Sequence, residues 1–311
     1  MEPTWRKVLL VAPLLFDDDD VRARLDAVTA VNAMRAALVA HHVGALQAPA
    51  RVRADLGDTR LVFTAGAAQD QGVFGFRAYD TAVGAEQLVA VWDSMTGELR
   101  ALVHGDELGI RRTGAIGAVA IDTAARPGPL RVGLIGSGRQ AWAQLWALCA
   151  VRPVEQAVVA ARRKEHADTF TERSDRELGV PARAAATTEE AVREQDVVIV
   201  ATDSATPVLD VGWISEGTHV TTLGPKTISR HEVPSALADR ADIILTDSRA
   251  QAAGYGEPHV LPSDQMVELG AVLAGAAVGR SDADQITVFC SVGLAGTEVA
   301  AAAALLRATD R

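Results

Sequence analysis

The glycines of one short stretch are the residues most open to a chemical reading. Residues 131–141 read RVGLIGSGRQA, a β-type run entering the spacing G-x-G-x-x-A, with helix-like sequence over 142–150 behind it. In such a turn Gly136 permits the tight bend, Gly138 lets the backbone approach a pyrophosphate, and Ala141 keeps the helix close to the strand. The free N–H groups and positive dipole end of that helix hold phosphate. Gly136, Ser137, Gly138, Arg139, Gln140 and Ala141 are therefore expected to cradle a dinucleotide. A plain glycine turn is the competing reading, and the strand–turn–helix context argues against it.

The second strand of such a unit selects the cofactor. Chains that bind NAD usually end it with an acid, about 20 residues past the glycines, for the ribose 2′-OH. Here residues 158–164 read VVAARRK, with no acid before Glu165. Arg162 and Arg163 suit a 2′-phosphate instead, so NADP(H) is expected, with NAD(H) as the alternative. Thr202 follows the apolar run at 197–200, at a strand end where dinucleotides lie.

Two different rhythms must position these groups. After Pro129, β-type runs at 131–135, 157–161, 197–202, 218–223 and 242–246 alternate with helix-like segments at 140–150, 164–178 and 188–194. That alternation predicts a doubly wound parallel sheet covered on both faces. The first hundred residues differ. Val21, Leu25, Val28, Val31, Met34, Leu38 and Val39 recur at helical spacing over 20–42, with Gly44 as the stop. Short β-type runs at 50–56, 61–65, 73–79, 88–92 and 99–103 follow, separated by turn residues and no helices, which implies antiparallel pairing. A helix over 106–125 leads into the parallel series, and an Ala-rich helix over 295–307 closes the chain. The fold class is thus α/β, a Rossmann sheet plus an α+β unit with antiparallel strands.

Composition removes other functions. The 311 residues are 49% hydrophobic, enough for a packed core, and carry a net charge of −10. That balance argues against a nucleic-acid scaffold or an anionic-membrane binder, since both need a basic footprint. Two cysteines, Cys149 and Cys290, make neither a disulfide framework nor a cysteine-based zinc site. The histidines show no i,i+4 metal pairing, so no metal is expected. Residues 6–16 have the basic-then-apolar order of a signal peptide. They meet Asp17–Asp20 without a cleavage-site pattern, however, and read as a strand followed by an Asp-capped helix. A reduced, cytoplasmic globular protein is expected.

Longer stretches carry a resemblance. DELGIRRTGAI at 106–116, TGEL at 96–99, ATDSATPVLDVGWISEGTHVTTLG at 201–224 and SVGLAGTEVA at 291–300 are together similar to the ornithine cyclodeaminase/μ-crystallin family over nearly the whole chain. The resemblance implies a homodimer. Residues 1–115 with 297–311 would form the substrate-binding and dimerisation domain, and 116–296 the Rossmann domain. It also implies a small carboxylate-bearing amino or imino acid as substrate. Arg112 matches the family arginine that grips the substrate carboxylate, and Arg51 matches a second one. Arg77 falls where the family usually has a substrate-binding lysine, and Gly293 fits the loop that approaches the nicotinamide. A forked guanidinium suits a carboxylate, although a single arginine among 27 is more often a surface ion pair. Tyr79, two residues from Arg77 and so on the same strand face, is a further candidate for substrate contact. His231, His259 and the GYGE turn at 254–257 are weaker ones, for which structural roles compete.

One departure decides the chemistry. The family commonly carries G-x-D, with Asp as catalytic acid/base, and Glu six residues later. Here residues 223–232 read LGPKTISRHE, so Lys226 stands where the Asp would be and Glu232 keeps the spacing. The chain has three lysines against 27 arginines, which points to an amine being wanted at 226. Cyclodeamination calls for a base, which a carboxylate supplies. An ammonium could instead donate a proton during imine reduction or bind a second carboxylate. The expected activity is therefore NADP(H)-dependent reduction of an imino acid, or the reverse amino-acid dehydrogenation, with Lys226 catalytic. The alternatives are a redox-neutral ornithine or lysine cyclodeaminase holding NAD, and a non-catalytic NADPH-binding protein.

Overall fold

The structure is a computed structural model that describes residues 12–80, 86–254 and 256–309. Residues 8–11 of the expected first strand, and Tyr255, lie outside the described residues; the strand is seen from Leu14 to Phe16.

The acidic run opens a helix, Asp18–Arg24. The Asp17 carboxylate accepts from the backbone N–H groups of Asp19 and Asp20, both at 2.9 Å. The expected single helix over 20–42 is in fact two. Asp26 caps the second, Ala27–His42, by accepting from the Thr29 N–H at 2.7 Å. An aspartate inside an apolar period was readable as a cap, and the periodicity concealed it.

The strands Thr59–Ala68, Val73–Asp80, Gln87–Asp93 and Leu99–His104 form an antiparallel meander. Val52–Leu56 and Leu46–Gln47 pair with its first strand, and Leu14–Phe16 lies parallel to its last. Against one face packs the helix Thr297–Thr309, Ala-rich and buried for most of its length, and the helix Ala27–His42 packs in turn on it. Small side chains allow that close seating on the sheet, and the apolar area removed from water drives it. The other face carries Phe63, Phe76, Phe74 and Trp92. Phe74 stacks on Trp92 with ring centroids 5.8 Å apart, and Phe76 meets the same indole at 5.7 Å.

The second sheet is parallel throughout. Its order is Ala182–Ala184, Val154–Ala160, Leu130–Ile135, Val197–Val200, His219–Thr222, Thr287–Cys290, Ile243–Thr246 and Val267–Glu268. Four-residue strands such as Val197–Val200 are wholly buried, as a sheet covered on both faces requires. The strand Thr287–Cys290 escapes the sequence reading, because TVFC is too short a run to register. It nonetheless lies between His219–Thr222 and Ile243–Thr246.

Register determines where chemistry is possible. Ile135, Val200, Thr222, Cys290 and Thr246 are aligned neighbours across the sheet. The segments that follow them, 136–138, 201–204, 223–226, 291–293 and 247–248, therefore leave the same carboxyl edge. In open α/β sheets ligands bind there.

Candidate active site

The first glycine of the nucleotide turn is forced by geometry. Gly136 has φ +109°, and a Cβ there would lie 2.2 Å from the carbonyl oxygen of Ala201, inside any permitted contact. Beyond it runs a groove of about 600 Å³, lined among others by Gly136, Ser137, Gly138, Arg162, Arg163 and Thr202. A Cβ at Gly138 would meet no atom within 4 Å; the bare backbone there borders open space at the N-terminus of the helix Arg139–Leu148. The residues present fit a dinucleotide: side-chain-free backbone, helix N–H groups, and two arginines at the far end of the groove. Neither Arg162 nor Arg163 is ion-paired with a carboxylate among the described residues; Arg163 reaches only the His166 ring, at 3.5 Å.

A second cavity, of about 240 Å³, is lined among others by Arg77, Gln87, Asp106, Arg112, Gln140, Lys226 and Gly293. Arg112 is buried on the helix Glu107–Ala124, and Arg77 is half-buried on the strand Val73–Asp80. Both donate to one oxygen of Glu298, Arg77 at 2.9 Å and Arg112 in a closer contact. Burial alone would raise the Glu298 carboxyl, but Arg112 and then Arg77 hold it down to about 2. Glu298 lies in a stretch whose family likeness is plain, yet nothing in its type or spacing marked it as the carboxylate that aims two arginines. Gln87 accepts from Arg77 and donates to Asp106, which in turn pairs with Arg139 at 2.8 Å.

Several polar atoms around this cavity lack a protein partner. The buried Nε atoms of Arg51, Arg77 and Arg112, and Oε1 of Gln140, make no hydrogen bond. Arg77 and Arg112 line this cavity, and their orphaned donors are what an anionic ligand would satisfy; Arg51 lines a neighbouring pocket with Arg53 and Gln251.

Lys226 is 3% exposed, and its ammonium does not point to solvent. It donates to the carbonyl oxygen of Leu223 at 3.0 Å and to that of Ser291. An ammonium has three donors, so one N–H remains for a ligand in the cavity. Arg51 holds the next carbonyls of the same segment, those of Val292 at 3.5 Å and Gly293 at 3.3 Å. Gly293 has φ +79°, and a Cβ there would lie 3.5 Å from Nη2 of Arg51 and 3.6 Å from Nη1 of Arg112. Two buried carboxylates brace these loops. Asp247 accepts from the N–H groups of Val292, Gly293 and Leu294 at 2.8 to 3.0 Å. Glu232 takes the N–H groups of Thr202, at 2.8 Å, Leu223, at 3.0 Å, and Gly224, together with the hydroxyls of Thr202 and Thr222. Glu232 thus ties the nucleotide groove to the wall that seats Lys226. Sequence gave only its spacing, and nothing signalled Asp247.

Other candidates lie elsewhere. Arg139 turns from the groove to Asp106 and Glu107, Gln140 lines the smaller cavity, and Ala141 is fully buried against the strand. Tyr79 lies under the Arg77 guanidinium, 4.1 Å from its ring centroid, and supports that arginine without lining the cavity. Burial, then Lys226, lowers the His259 ring to about 4, and its Nε2 sits 3.3 Å from Sγ of Cys290. His231 contacts the Thr227 carbonyl at 3.1 Å. Among the described residues no group of three His, Cys, Asp or Glu is placed to hold a metal ion, and no helix is long and apolar enough to cross a membrane.

The model of the ornithine cyclodeaminase/mu-crystallin family matches residues 13–308. Δ(1)-pyrroline-2-carboxylate reductase of Bacillus cereus is 32% identical over 220 residues, covering 68% of this chain and 67% of the relative. Among solved structures, a probable ornithine cyclodeaminase from Bordetella pertussis superposes with a TM-score of 0.88 at 27% identity, covering 96% and 97% of the two chains. The iminosuccinate reductase of Paracoccus denitrificans in complex with NAD+ gives 0.86 at 27% identity, covering 96% of each.

Proposed function

Because the chain belongs to the ornithine cyclodeaminase/mu-crystallin family, we propose that it is a nicotinamide-dependent oxidoreductase that reduces an imino acid to an amino acid, or runs the reverse reaction. The observation that carries this reading is the cavity at the carboxyl edge, where Arg77, Arg112 and Lys226 converge beside the nucleotide groove. Bound in that groove, the dihydronicotinamide supplies the hydride. Arg77 and Arg112, steadied by Glu298, grip the substrate carboxylate, with Arg51 close by. Lys226, held by two carbonyls, presents its remaining N–H toward the imine nitrogen and delivers the proton, directly or through water, as the carbon accepts hydride. Fixing both reactants in a half-buried cleft supplies much of the acceleration.

The finer cofactor choice is NADP(H). Arg162 and Arg163 line the groove and pair with no carboxylate among the described residues, where an NAD enzyme would have an acid. The active form is a homodimer, for which the aromatic sheet face with Phe74, Phe76 and Trp92 is the natural seam. The acidic, reduced character of the chain fits the cytoplasm.

The test is stoichiometric oxidation of NADPH with a panel of cyclic and acyclic imino acids. Turnover with amine formation is expected. Tight NADPH binding without turnover on any member overturns the reading, and ammonia release from ornithine or lysine without a change in nicotinamide absorbance replaces it with cyclodeamination.

A further inference from the structure

Asp106 stands where an aspartate normally caps a helix, and it does not cap. It precedes the helix Glu107–Ala124, yet its side chain accepts from none of that helix's N–H groups. The N–H of Glu107 is taken instead by Asp18, at 2.8 Å, from the helix Asp18–Arg24. Aspartate is among the residues that cap best, so the helix gives up a favoured contact. The carboxylate is turned to the cavity wall. There one oxygen accepts from Nε2 of Gln87, and the other from Nη1 of Arg139 at 2.8 Å.

Gln87 is set beside Asp106 by its backbone. Its carbonyl accepts from the N–H of Gly105 at 3.0 Å, which fixes the start of the strand Gln87–Asp93 against the turn before the helix. At the other end of its side chain, Oε1 accepts from Nη2 of Arg77. The two ends of an amide are nearly equal in size, so its neighbours decide which way it faces. Arg77 offers only donors and must be shown the oxygen, whereas Asp106 offers only acceptors and holds the NH₂. With both in place a single orientation is satisfied. Glu298 fixes Nη1 of Arg77 at 2.9 Å and Gln87 fixes Nη2, so the guanidinium plane is determined from two sides.

We infer that Asp106 and Gln87 are positioning residues for substrate: Asp106 locks the Gln87 amide, and the amide aims the Arg77 guanidinium that grips the substrate carboxylate. This deepens the reductase reading and rests on it for the role of Arg77. Charge alone predicts the opposite effect. Among the described residues lining the cavity Asp106 is the one acid, facing Arg77, Arg112 and Lys226. Removing a negative charge there would tighten an anion by electrostatics, whereas releasing the amide and Arg77 weakens it.

The test is calorimetry with propionate, a non-reacting monocarboxylate, on protein saturated with NADP+. KM and kcat are followed alongside by NADPH oxidation with pyruvate plus ammonium. Asp106→Ser keeps a capping residue but is too short to reach Gln87. It is expected to weaken propionate about tenfold and raise KM by a similar factor, with kcat changed by less than about threefold. Gln87→Met, which leaves Nη2 of Arg77 without its acceptor, is expected to match it. Gln87→Glu alone is expected to cost about fivefold or more, because two acids then face each other. Asp106→Ser combined with Gln87→Glu is expected to return to within about threefold of the unaltered protein. In that pair the number of acids is kept, and a carboxylate meets Arg77 with either oxygen. Melting temperatures establish that each variant folds. Tighter propionate binding by Asp106→Ser, or a double variant no better than Asp106→Ser alone, overturns the inference. So does a failure of the unaltered protein to bind propionate, which also removes the role given to Arg77. The expected binding pattern without NADPH oxidation on any imino acid keeps the positioning and removes the reductase reading.

Discussion

Glu298 accepts from Arg77 and Arg112 through one oxygen, so a single buried carboxylate aims two guanidiniums that come from a strand and a helix. Removing one member of a buried ion pair leaves uncompensated charge, which costs roughly 3–5 kcal/mol. Glu298→Gln should lower unfolding free energy by about that amount in denaturant titrations and raise KM for the imino acid about tenfold or more. A variant with unaltered stability would show that the contact is incidental.

Two buried groups give the protein a defined acid weakness. The Glu298 carboxyl titrates near 2 in the fold against an ordinary 4.5, so its contribution is complete above 4.5 and is lost as pH falls toward 2. Burial, with help from Arg280, lowers the His219 ring from 6.5 to about 3, so the fold resists its protonation and stability drains away as pH falls from 6.5 toward 3. Denaturant midpoints should drop first between 6.5 and 4.5, through His219 and the similarly lowered His259, and more steeply below. A flat profile from pH 7 to pH 4 is the contrary result.

At the groove, Arg162→Ser combined with Arg163→Ser should weaken NADPH binding about tenfold or more while changing NADH affinity by less than about threefold. Fluorescence titration with both nucleotides decides this. Equal losses would mean that the arginines serve the pyrophosphate or the fold, and not a 2′-phosphate.

Glu232 spans from Thr202, in the nucleotide groove, to the Leu223–Gly224 backbone that seats Lys226. Glu232→Gln puts an amide NH₂ among N–H donors and leaves some of them unpaired, at about 1–3 kcal/mol each. Nucleotide affinity and kcat should fall together, whereas Lys226→Met should reduce kcat with nucleotide affinity kept. Loss of kcat alone in Glu232→Gln would remove the coupling.

Trp92→Asp places a charge in the centre of the aromatic sheet face, against Phe74 and Phe76. Sedimentation should then report a monomer in place of a dimer. Retention of the dimer would move the seam elsewhere.

The contrast between what was readable and what was not has a physical basis. The glycine turn was legible because backbone geometry at Gly136 admits no other residue, and the parallel series because buried strands read as apolar runs. Arg112 and Lys226 stood out through family likeness and through lysine's rarity here. Glu298, Asp247 and Glu232 act on partners 186, about 45 and 30 or fewer residues away in sequence. Neither periodicity nor local spacing encodes such distances. The strand Thr287–Cys290 was missed for a related reason: four residues carry too little pattern, and their place in the sheet comes from neighbours 44 and 68 residues upstream.

That late strand also constrains how the molecule can be made. It fills the middle of the parallel sheet, and the helix Thr297–Thr309 right after it covers the antiparallel one. Each half therefore waits on a segment far from the rest of it in sequence, and until that segment arrives an apolar surface stands open to water and to chaperones.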